Sequence, residues 1–206
     1  MRMRPGRLTV RVLVGGVGYR NLRDHSAGLV VSDMLAARSA GEWSDDWRRQ
    51  PTVHVVVEDL SYNPLAVGWR LEDEPAQHRF DRLILVAAVA RGVRAPGTVT
   101  AYQWDGVLPC DDEIQRAVAE AVTGIISVDN TLVILRHFGA LPNEALVVEI
   151  EPLVHSYGET LSAVVQHQLE ALCALVTRLA VDGPLSAGLS VASLGAGAAA
   201  IAVGPS

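Results

Sequence analysis

Five stretches of the chain carry the apolar patterns of β-strands. Residues 10–14, 53–57, 83–89 and 146–150 are dominated by valine, leucine, isoleucine and alanine, the pattern of strands buried on both faces of a parallel sheet. The most apolar of them, 83–89, predicts the central strand. Residues 98–104 instead alternate apolar and polar side chains, which predicts a strand with one solvated face.

Helical periodicity lies between and after these strands. Leu29, Val30, Met34 and Leu35 form one apolar stripe, and residues 160–181 repeat leucine and valine at helical spacing. Shorter helices are predicted over 65–71, over 111–122 ahead of Gly124, and after a cap at 127–130, through 132–136, to a stop at Phe138 and Gly139. Strands that alternate with helices predict an α/β fold, a three-layer sandwich with a mostly parallel, twisted sheet of about five strands and helices on both faces.

Length and composition fit one globular domain followed by a tail. The chain has 206 residues, of which 50% are hydrophobic and 19% charged, so it is long enough to bury a core and too apolar to be disordered. We predict a single domain over residues 1–182 and an Ala/Gly/Ser-rich tail over 183–206. The uncharged part of the tail approaches the length of a membrane span. Its small side chains gain little on transfer to lipid, so a mobile tail is predicted in place of a membrane anchor.

The net charge and the cysteine content limit which partners and which cellular compartment are expected. The formal net charge is -6, which argues against nucleic-acid binding, because that activity requires a basic face. Cys110 and Cys173 lie far apart and show no metal-binding or redox spacing. The amino terminus shows no apolar segment typical of a signal peptide, so a cytoplasmic protein is expected. The sequence leaves its oligomeric state open.

The loop after the first strand is the first candidate site. Gly15, Gly16 and Gly18 interrupt the strand, and Asp24 and His25 follow just before the first helix. Loops at the carboxyl ends of parallel strands are where α/β folds bind ligands. We therefore expect both polar residues to lie at a crevice on this edge of the sheet.

Further polar residues are expected at the same edge, and together they have the chemistry of metal ligands. The residues concerned are His25, Asp59, Asp129 and Glu151, with His155 as a further candidate. Imidazole and carboxylate ligands suit nickel or zinc. Structural roles remain open beside this one, since Asp24 and Asp129 also fit helix caps, Asp59 fits a turn and His155 an ordinary loop.

The order of these features resembles that of the [NiFe]-hydrogenase maturation endopeptidases. In that family a strand, a glycine turn, an acidic loop and a helix come first, as in residues 14–28 here. A strand ending in aspartate follows, like 57–59, and then an apolar strand ahead of a Pro-Gly-Thr-Val turn, like 83–99. A Leu-Pro pair and a strand ending in Ile-Glu-Pro come later, as in 141–152. The resemblance covers roughly residues 8–181.

This resemblance implies a compact domain that inspects a hydrogenase large-subunit precursor already loaded with nickel and removes its short C-terminal extension. It also implies no intrinsic cofactor, because the nickel is contacted in the substrate. Three side chains are implied to engage it: a first-loop carboxylate, an aspartate at the end of the buried strand and a histidine before a helix. In this chain the positions fall on His25, on Ala87 and on Gly124, or on Asp129 if a gap is allowed.

Two functions follow from the resemblance. The first is a divergent maturation endopeptidase. The residues expected to serve it are Asp24 and His25 as catalytic groups, and His25, Asp59, Asp129 and Glu151 as metal contacts. The second is a non-catalytic relative that binds a hydrogenase subunit or precursor as a chaperone-like checkpoint, because Ala87 can neither bind a metal nor move a proton. A small-molecule enzyme using the same crevice is a third class, and neither nucleic acid nor membrane is an expected partner.

Overall fold

The fold is built on a six-stranded sheet with the strand order β2-β1-β3-β5-β4-β6. The computed structural model describes residues 9–41, 53–182 and 188–195. The strands are β1 (Val10–Val17), β2 (Val53–Asp59), β3 (Arg82–Ala88), β4 (Val99–Trp104), β5 (Glu144–Ile150) and β6 (Val191–Ala192). Every residue of β3 is buried, so the most apolar run of the sequence does form a central strand.

The sheet is mostly parallel. β1 pairs in parallel with β2 and with β3, and β3 pairs in parallel with β5. β4 runs antiparallel to β5, because residues 89–98, which join β3 to β4, form no helix and a parallel return needs a crossover of about a dozen residues or more. The α/β prediction with a mostly parallel sheet is confirmed, and the short β6 adds a sixth strand.

Helices cover both faces of this sheet. They are α1 (Ala27–Gly41), α2 (Pro64–Glu72), α3 (Asp111–Val122), α4 (Val128–His137), α5 (Ala163–Gln166) and α6 (Leu169–Val181). Apolar residues of α1 and α6 pack on one face of the sheet, and those of α2 and α4 pack on the other. Helix α3 packs against α4. The three-layer sandwich is therefore present, and the loops at its carboxyl edge are the ones that can form a site.

Close packing holds the start of α1 directly against the sheet. A Cβ on Gly28 would lie 2.1 Å from the carbonyl oxygen of Val86 and 2.8 Å from that of Val17. Only glycine permits this approach of the helix to the ends of β1 and β3. The 3₁₀ helix Arg23–Ser26, which carries two candidate residues, is thereby placed over the carboxyl ends of both strands.

The predicted helix over 160–181 is interrupted. It forms as α5 and α6, because the N–H of Gln168 bonds to the carbonyl of Val165, three residues back. The helix also starts later than predicted. The backbone N–H and the hydroxyl of Ser162 donate to Asp24 instead, and α5 begins at the next residue.

Part of the predicted tail has fixed structure. In β6 the carbonyls of Ser190 and Ala192 accept hydrogen bonds from Gln103 (2.9 Å) and Asp105 (3.1 Å), at the outer edge of β4. Leu194 packs against the core. Residues 188–195 of the predicted tail thus include a strand paired with the sheet, and the mobile tail stays a prediction for 183–187 and 196–206, which lie outside the described residues. Of the helices that the structure describes, none combines the length and apolar character of a membrane span.

Candidate functional site

A pocket of about 230 Å³ lies at the carboxyl ends of β1 and β3. The chain proceeds from β1 to β2 on one side and to β3 on the other, so the strand order reverses here, which is where α/β folds bind ligands. The lining residues are 17–19, His25, 87–90 and 125–129. Most of these side chains are apolar, so the pocket suits an apolar group with a few polar contacts at its rim.

The imidazole ring of His25 lines the pocket and is paired with the ring of a second histidine. Its Nε2 lies 2.6 Å from Nδ1 of His155, and the two ring centroids are 4.7 Å apart. One ring must donate to the other, so the pair shares a proton between two nitrogens. Burial and the neighbouring His155 lower the pKa of His25, and the nearby Asp24 carboxylate offsets this only in part. The ring is therefore neutral at neutral pH and can act as a base or a ligand.

Two loops are joined so that the histidines meet. Leu22 forms a parallel bridge with Gly158, and the N–H of Arg23 bonds to the Gly158 carbonyl at 2.9 Å. Arg23 Nε also donates to the carbonyl of Thr160 at 3.0 Å. On the other side of the pocket, the Tyr19 hydroxyl accepts the N–H of Ile126 at 2.6 Å. These bonds fix the loop that carries His25 between the segments after β5 and after α3.

Asp24 lies outside the pocket lining and is fully buried beneath it. Its Oδ2 accepts the backbone N–H groups of Leu153 and Val154, each at 2.9 Å. Ser162 donates to the same carboxylate through its N–H (2.6 Å) and its hydroxyl (2.8 Å). Burial opposes ionisation, but these donors outweigh it and lower the pKa of Asp24. The side chain thus anchors the segment that carries His155.

Asp59 and Glu151 both lie at the carboxyl ends of strands, but their strands are not neighbours in the sheet. Asp59 ends the edge strand β2, where it accepts the N–H of Ser61 (2.9 Å) and pairs with Arg20 (2.9 Å). Glu151 is buried after β5 and accepts the N–H of Gly92 at 2.9 Å. β1 and β3 lie between their strands, a separation of about 14 Å at the usual strand spacing. The two carboxylates therefore cannot share one ion.

Asp129 does line the pocket, but its carboxylate is engaged. The two terminal guanidinium nitrogens of Arg91, Nη1 and Nη2, donate to it at 2.7 and 2.9 Å. The cap of α4 is Ser127, whose Oγ accepts the N–H of Asn130 at 3.1 Å. Asp129 is thus neither the cap nor a free ligand, and Arg91 determines the orientation of its oxygens.

A buried charged cluster beside the pocket was missed by the sequence analysis. Glu149 of β5 is fully buried and accepts from Arg91 Nε (3.2 Å), Arg94 Nη1 (2.8 Å) and the Tyr102 hydroxyl (2.9 Å). Burial opposes ionisation of Glu149, but its two arginine neighbours outweigh that effect and hold its pKa below the usual value. A glutamate inside an apolar strand was the available signal, since a buried charge must be paired.

The resemblance of this chain to known proteins lies in solved structures. No protein-family model and no curated protein matches it. It aligns with a hydrogenase 3 maturation protease at a TM-score of 0.56 and 18% identity, over 90% of this chain and 98% of that one. The hydrogenase maturating endopeptidase HybD from E. coli aligns at 0.54 and 17%, over 88% and 96%. A hydrogenase 2 maturation peptidase from Thaumarchaeota archaeon SCGC_AB-539-E09 aligns at 0.51 and 22%, over 82% and 96%.

The chain has the fold of the [NiFe]-hydrogenase maturation proteases. At this level of identity the likeness concerns the fold alone. The pocket at the ends of β1 and β3 is therefore a feature of a maturation-protease fold, and its chemistry has to be read from the residues of this chain.

The residues at the three implied metal positions do not make a metal site. At the first position His25 offers a nitrogen ligand, whereas at the second Ala87 offers only a methyl group, which lines the pocket. Gly124 has only backbone to offer, and its carbonyl faces the Tyr19 hydroxyl at 3.4 Å. In residues 9–41, 53–182 and 188–195, no group of three or more histidine, cysteine, aspartate and glutamate side chains is arranged to hold a metal ion. The residues present do not fit a resident metal.

The histidine pair makes a prediction for titration. We expect His25 to titrate below the ordinary histidine value of about 6.5, because burial and His155 both disfavour its charged form. His155→Ala should move the His25 midpoint upward. NMR titration of the imidazole protons measures both, with His167→Ala as a control that leaves the His25 midpoint unchanged. A wild-type midpoint above 6.5 would contradict the pairing.

Proposed function

We propose that this protein binds a [NiFe]-hydrogenase large-subunit precursor and acts as a non-catalytic checkpoint. The pocket between β1 and β3 would receive a segment of the precursor, with an apolar side chain inside and His25 at the rim. The fold supports this choice of partner, because the similar structures are those of hydrogenase maturation proteases. The apolar lining supports the choice of an apolar contact.

The observation that carries the proposal is the methyl group of Ala87 in the pocket wall. Ala87 is the penultimate residue of the buried strand β3 and is 3% exposed, at the position where the resemblance implies an aspartate. Metal-assisted peptide hydrolysis needs a polarised carbonyl and an activated water. With Ala87 at this position and Asp129 held by Arg91, the histidine pair is what remains as a ligand or a base among the pocket residues that the structure describes.

A divergent endopeptidase is the second candidate, and the histidine pair is the observation that favours it. A neutral His25 beside His155 has the chemistry to contact nickel carried by the substrate or to take a proton from water. In this case Asp24 would position the pair through the residue 153–162 segment and would not touch the substrate. The protein itself would need no resident metal.

One experiment separates the two candidates. The protein is incubated with a nickel-loaded large-subunit precursor, binding is measured by co-elution, and the intact mass of the precursor is followed over time. We expect binding with an unchanged mass. Loss of the C-terminal extension would overturn the checkpoint and support the endopeptidase, and that activity should then disappear in His25→Ala. An absence of binding would overturn both candidates.

Filling the pocket is expected to weaken precursor binding without unfolding the protein. Ala90 lines the pocket and is exposed, so Ala90→Phe places a benzyl group in the opening and not in the core. We expect precursor affinity to fall about tenfold or more, the equivalent of about 1.4 kcal/mol. Isothermal calorimetry measures it.

Ala76→Phe is the matched control for Ala90→Phe. Ala76 is also exposed, but it precedes β3 and so lies toward the amino end of that strand, away from the pocket. The same added side chain should therefore leave the affinity unchanged. Equal affinities for both variants would show that the precursor does not enter the pocket.

A further inference from the structure

The two outermost long strands of the sheet, β4 and β2, differ in whether another strand pairs with their outer side. The outer edge of β4 is covered by β6, through the backbone bonds to Gln103 and Asp105. β2 is the last strand at the other edge, and no strand of the described residues pairs with its outer side. An open edge presents a row of backbone donors and acceptors that can pair with another chain.

The sequence of β2 does not protect this edge. It reads VHVVVED, without lysine or proline, although these are the residues that commonly blunt an edge strand. Its seven residues pair with β1 in unbroken register from Val53 to Asp59, without a bulge. The edge is therefore regular and suited to further pairing.

One hydrogen bond determines which backbone groups of β2 point outward. The N–H of Leu60 donates to the Gly16 carbonyl of β1 at 2.9 Å. Because backbone groups alternate in direction along a strand, Glu58, Val56 and His54 also face β1. The N–H and C=O groups of the alternate residues, 53, 55, 57 and 59, consequently face away from the sheet.

We propose that β2 pairs antiparallel with β2 of a second copy of this chain, about a two-fold axis at Val56. With this axis all seven residues have a partner, and the outward-facing groups of Val55 meet those of Val57 in the second copy. Val56 then faces its own counterpart in a non-hydrogen-bonded pair, in which Cα atoms lie about 4.5 Å apart. A symmetric interface of this kind requires a self-complementary surface.

Hydrogen-bond complementarity between an imidazole donor and a carboxylate acceptor supports this partner and this register. The axis at Val56 places His54 directly opposite Glu58 of the second copy, twice by symmetry. His54 is exposed, and Arg70 holds the Glu58 carboxylate in place with a bond of 2.7 Å. Moving the axis by one residue shortens the ladder and removes both His54–Glu58 pairs.

The proposed dimer leaves the candidate site open. Pairing would join two six-stranded sheets into one continuous sheet, with the two copies running in opposite directions. The carboxyl edges, and with them the two pockets, would then lie on opposite sides of the assembly. Dimerisation is therefore independent of whether the pocket binds a hydrogenase precursor.

The oligomeric state is the first test. Light scattering after size-exclusion chromatography should give a concentration-dependent mass approaching twice that of the 22.0 kDa chain. His54→Glu faces Glu58 with a like charge in both symmetric pairs and should weaken the dimer about tenfold. His167→Glu makes the same charge change on an exposed residue outside β2 and should leave the dimer unchanged.

Cross-linking tests the register, in a Cys110→Ser background that removes the exposed native thiol. Val56→Cys should form an intersubunit disulfide under mild oxidation, because its Cα atoms fall within disulfide reach at the axis. Val55→Cys should not, since its counterparts would be diagonal neighbours about 7–8 Å apart.

Three results would overturn the proposal. One is a wild-type mass that stays that of the monomer up to about 100 μM, a range in which weak but specific dimers form. Another is a result against the register: either the His54→Glu variant still dimerises as the wild type does, or the Val55→Cys variant forms the intersubunit disulfide more readily than the Val56→Cys variant. The third is protection of the Val55 and Val57 amides from hydrogen exchange only when a precursor is added, which would mean that the edge pairs with a different protein.

Discussion

Replacing Asp24 with asparagine is expected to lower the free energy of unfolding by about 3–5 kcal/mol, since a buried charge-assisted network is broken. The carboxylate accepts four hydrogen bonds, from Leu153, Val154 and Ser162. An asparagine would turn its NH₂ group toward some of these donors, so that buried N–H groups lose their acceptor. Urea denaturation at pH 7 measures the loss.

The effect of Asp24 should also depend on pH in a defined direction. The pKa of Asp24 is lowered in the folded protein, so its carboxylate stabilises the fold fully above the unfolded value of about 3.9. That contribution is lost as the pH falls through the folded pKa. The difference in stability between wild type and Asp24→Asn should therefore be largest at neutral pH and shrink below about pH 4.

Asp33→Asn is the control for this prediction. Asp33 pairs with Arg20, but both side chains are more than half exposed, so its removal should change stability by less than about 1 kcal/mol. A change of similar size in both variants, or a gap that widens in acid, would contradict the anchoring role of Asp24. Precursor binding should fall in Asp24→Asn as well, because the segment that holds His155 against His25 would be released.

The second large effect is expected for Glu149→Gln, again about 3–5 kcal/mol of lost stability, because breaking a buried ion pair leaves an uncompensated charge. The side chains of Arg91 and Arg94 are 12% and 8% exposed. With Glu149 neutral, Arg94 would lose its ion pair and Arg91 would keep only the one with Asp129. Thermal denaturation followed by circular dichroism measures the change.

A double variant tests whether the unpaired charge causes the loss. Adding Arg94→Gln to Glu149→Gln removes one of the stranded charges, so the double variant should be less destabilised than the sum of the two single variants. Glu170→Gln is the surface control, since Glu170 pairs with Arg38 at 72% exposure and should cost little. Strict additivity in the cycle would show that the two side chains do not act as a pair.

The arrangement of strands and helices followed from local patterns. Apolar runs such as 83–89 and the helical stripe from Leu29 to Leu35 predicted the elements that the structure contains, because each pattern reflects which face of its own segment is buried. The break after Gln166 did not follow from pattern, since the helical spacing continues through it. It lies where the N–H of Gln168 bonds to the carbonyl of Val165, three residues back.

The candidate site was predicted only as a region. His25 and Asp129 do line one pocket, whereas Asp59 accepts a hydrogen bond within its own turn and Glu151 accepts one from the loop after β3. A sequence identifies which residues follow which strand, but it does not say how many strands separate them in the sheet. That number follows from the strand order, in which β1 and β3 come between β2 and β5.

By itself the sequence determined the α/β class and the central strand, because both depend on residue type and on spacing within a short segment. Tertiary structure alone decided which polar groups remain available for chemistry. Asp24 and Ser162 are separated by 138 positions in the chain, and His25 and His155 by 130. Whether a carboxylate binds a ligand or a backbone amide depends on such distant partners, and only the folded chain brings them within hydrogen-bonding distance.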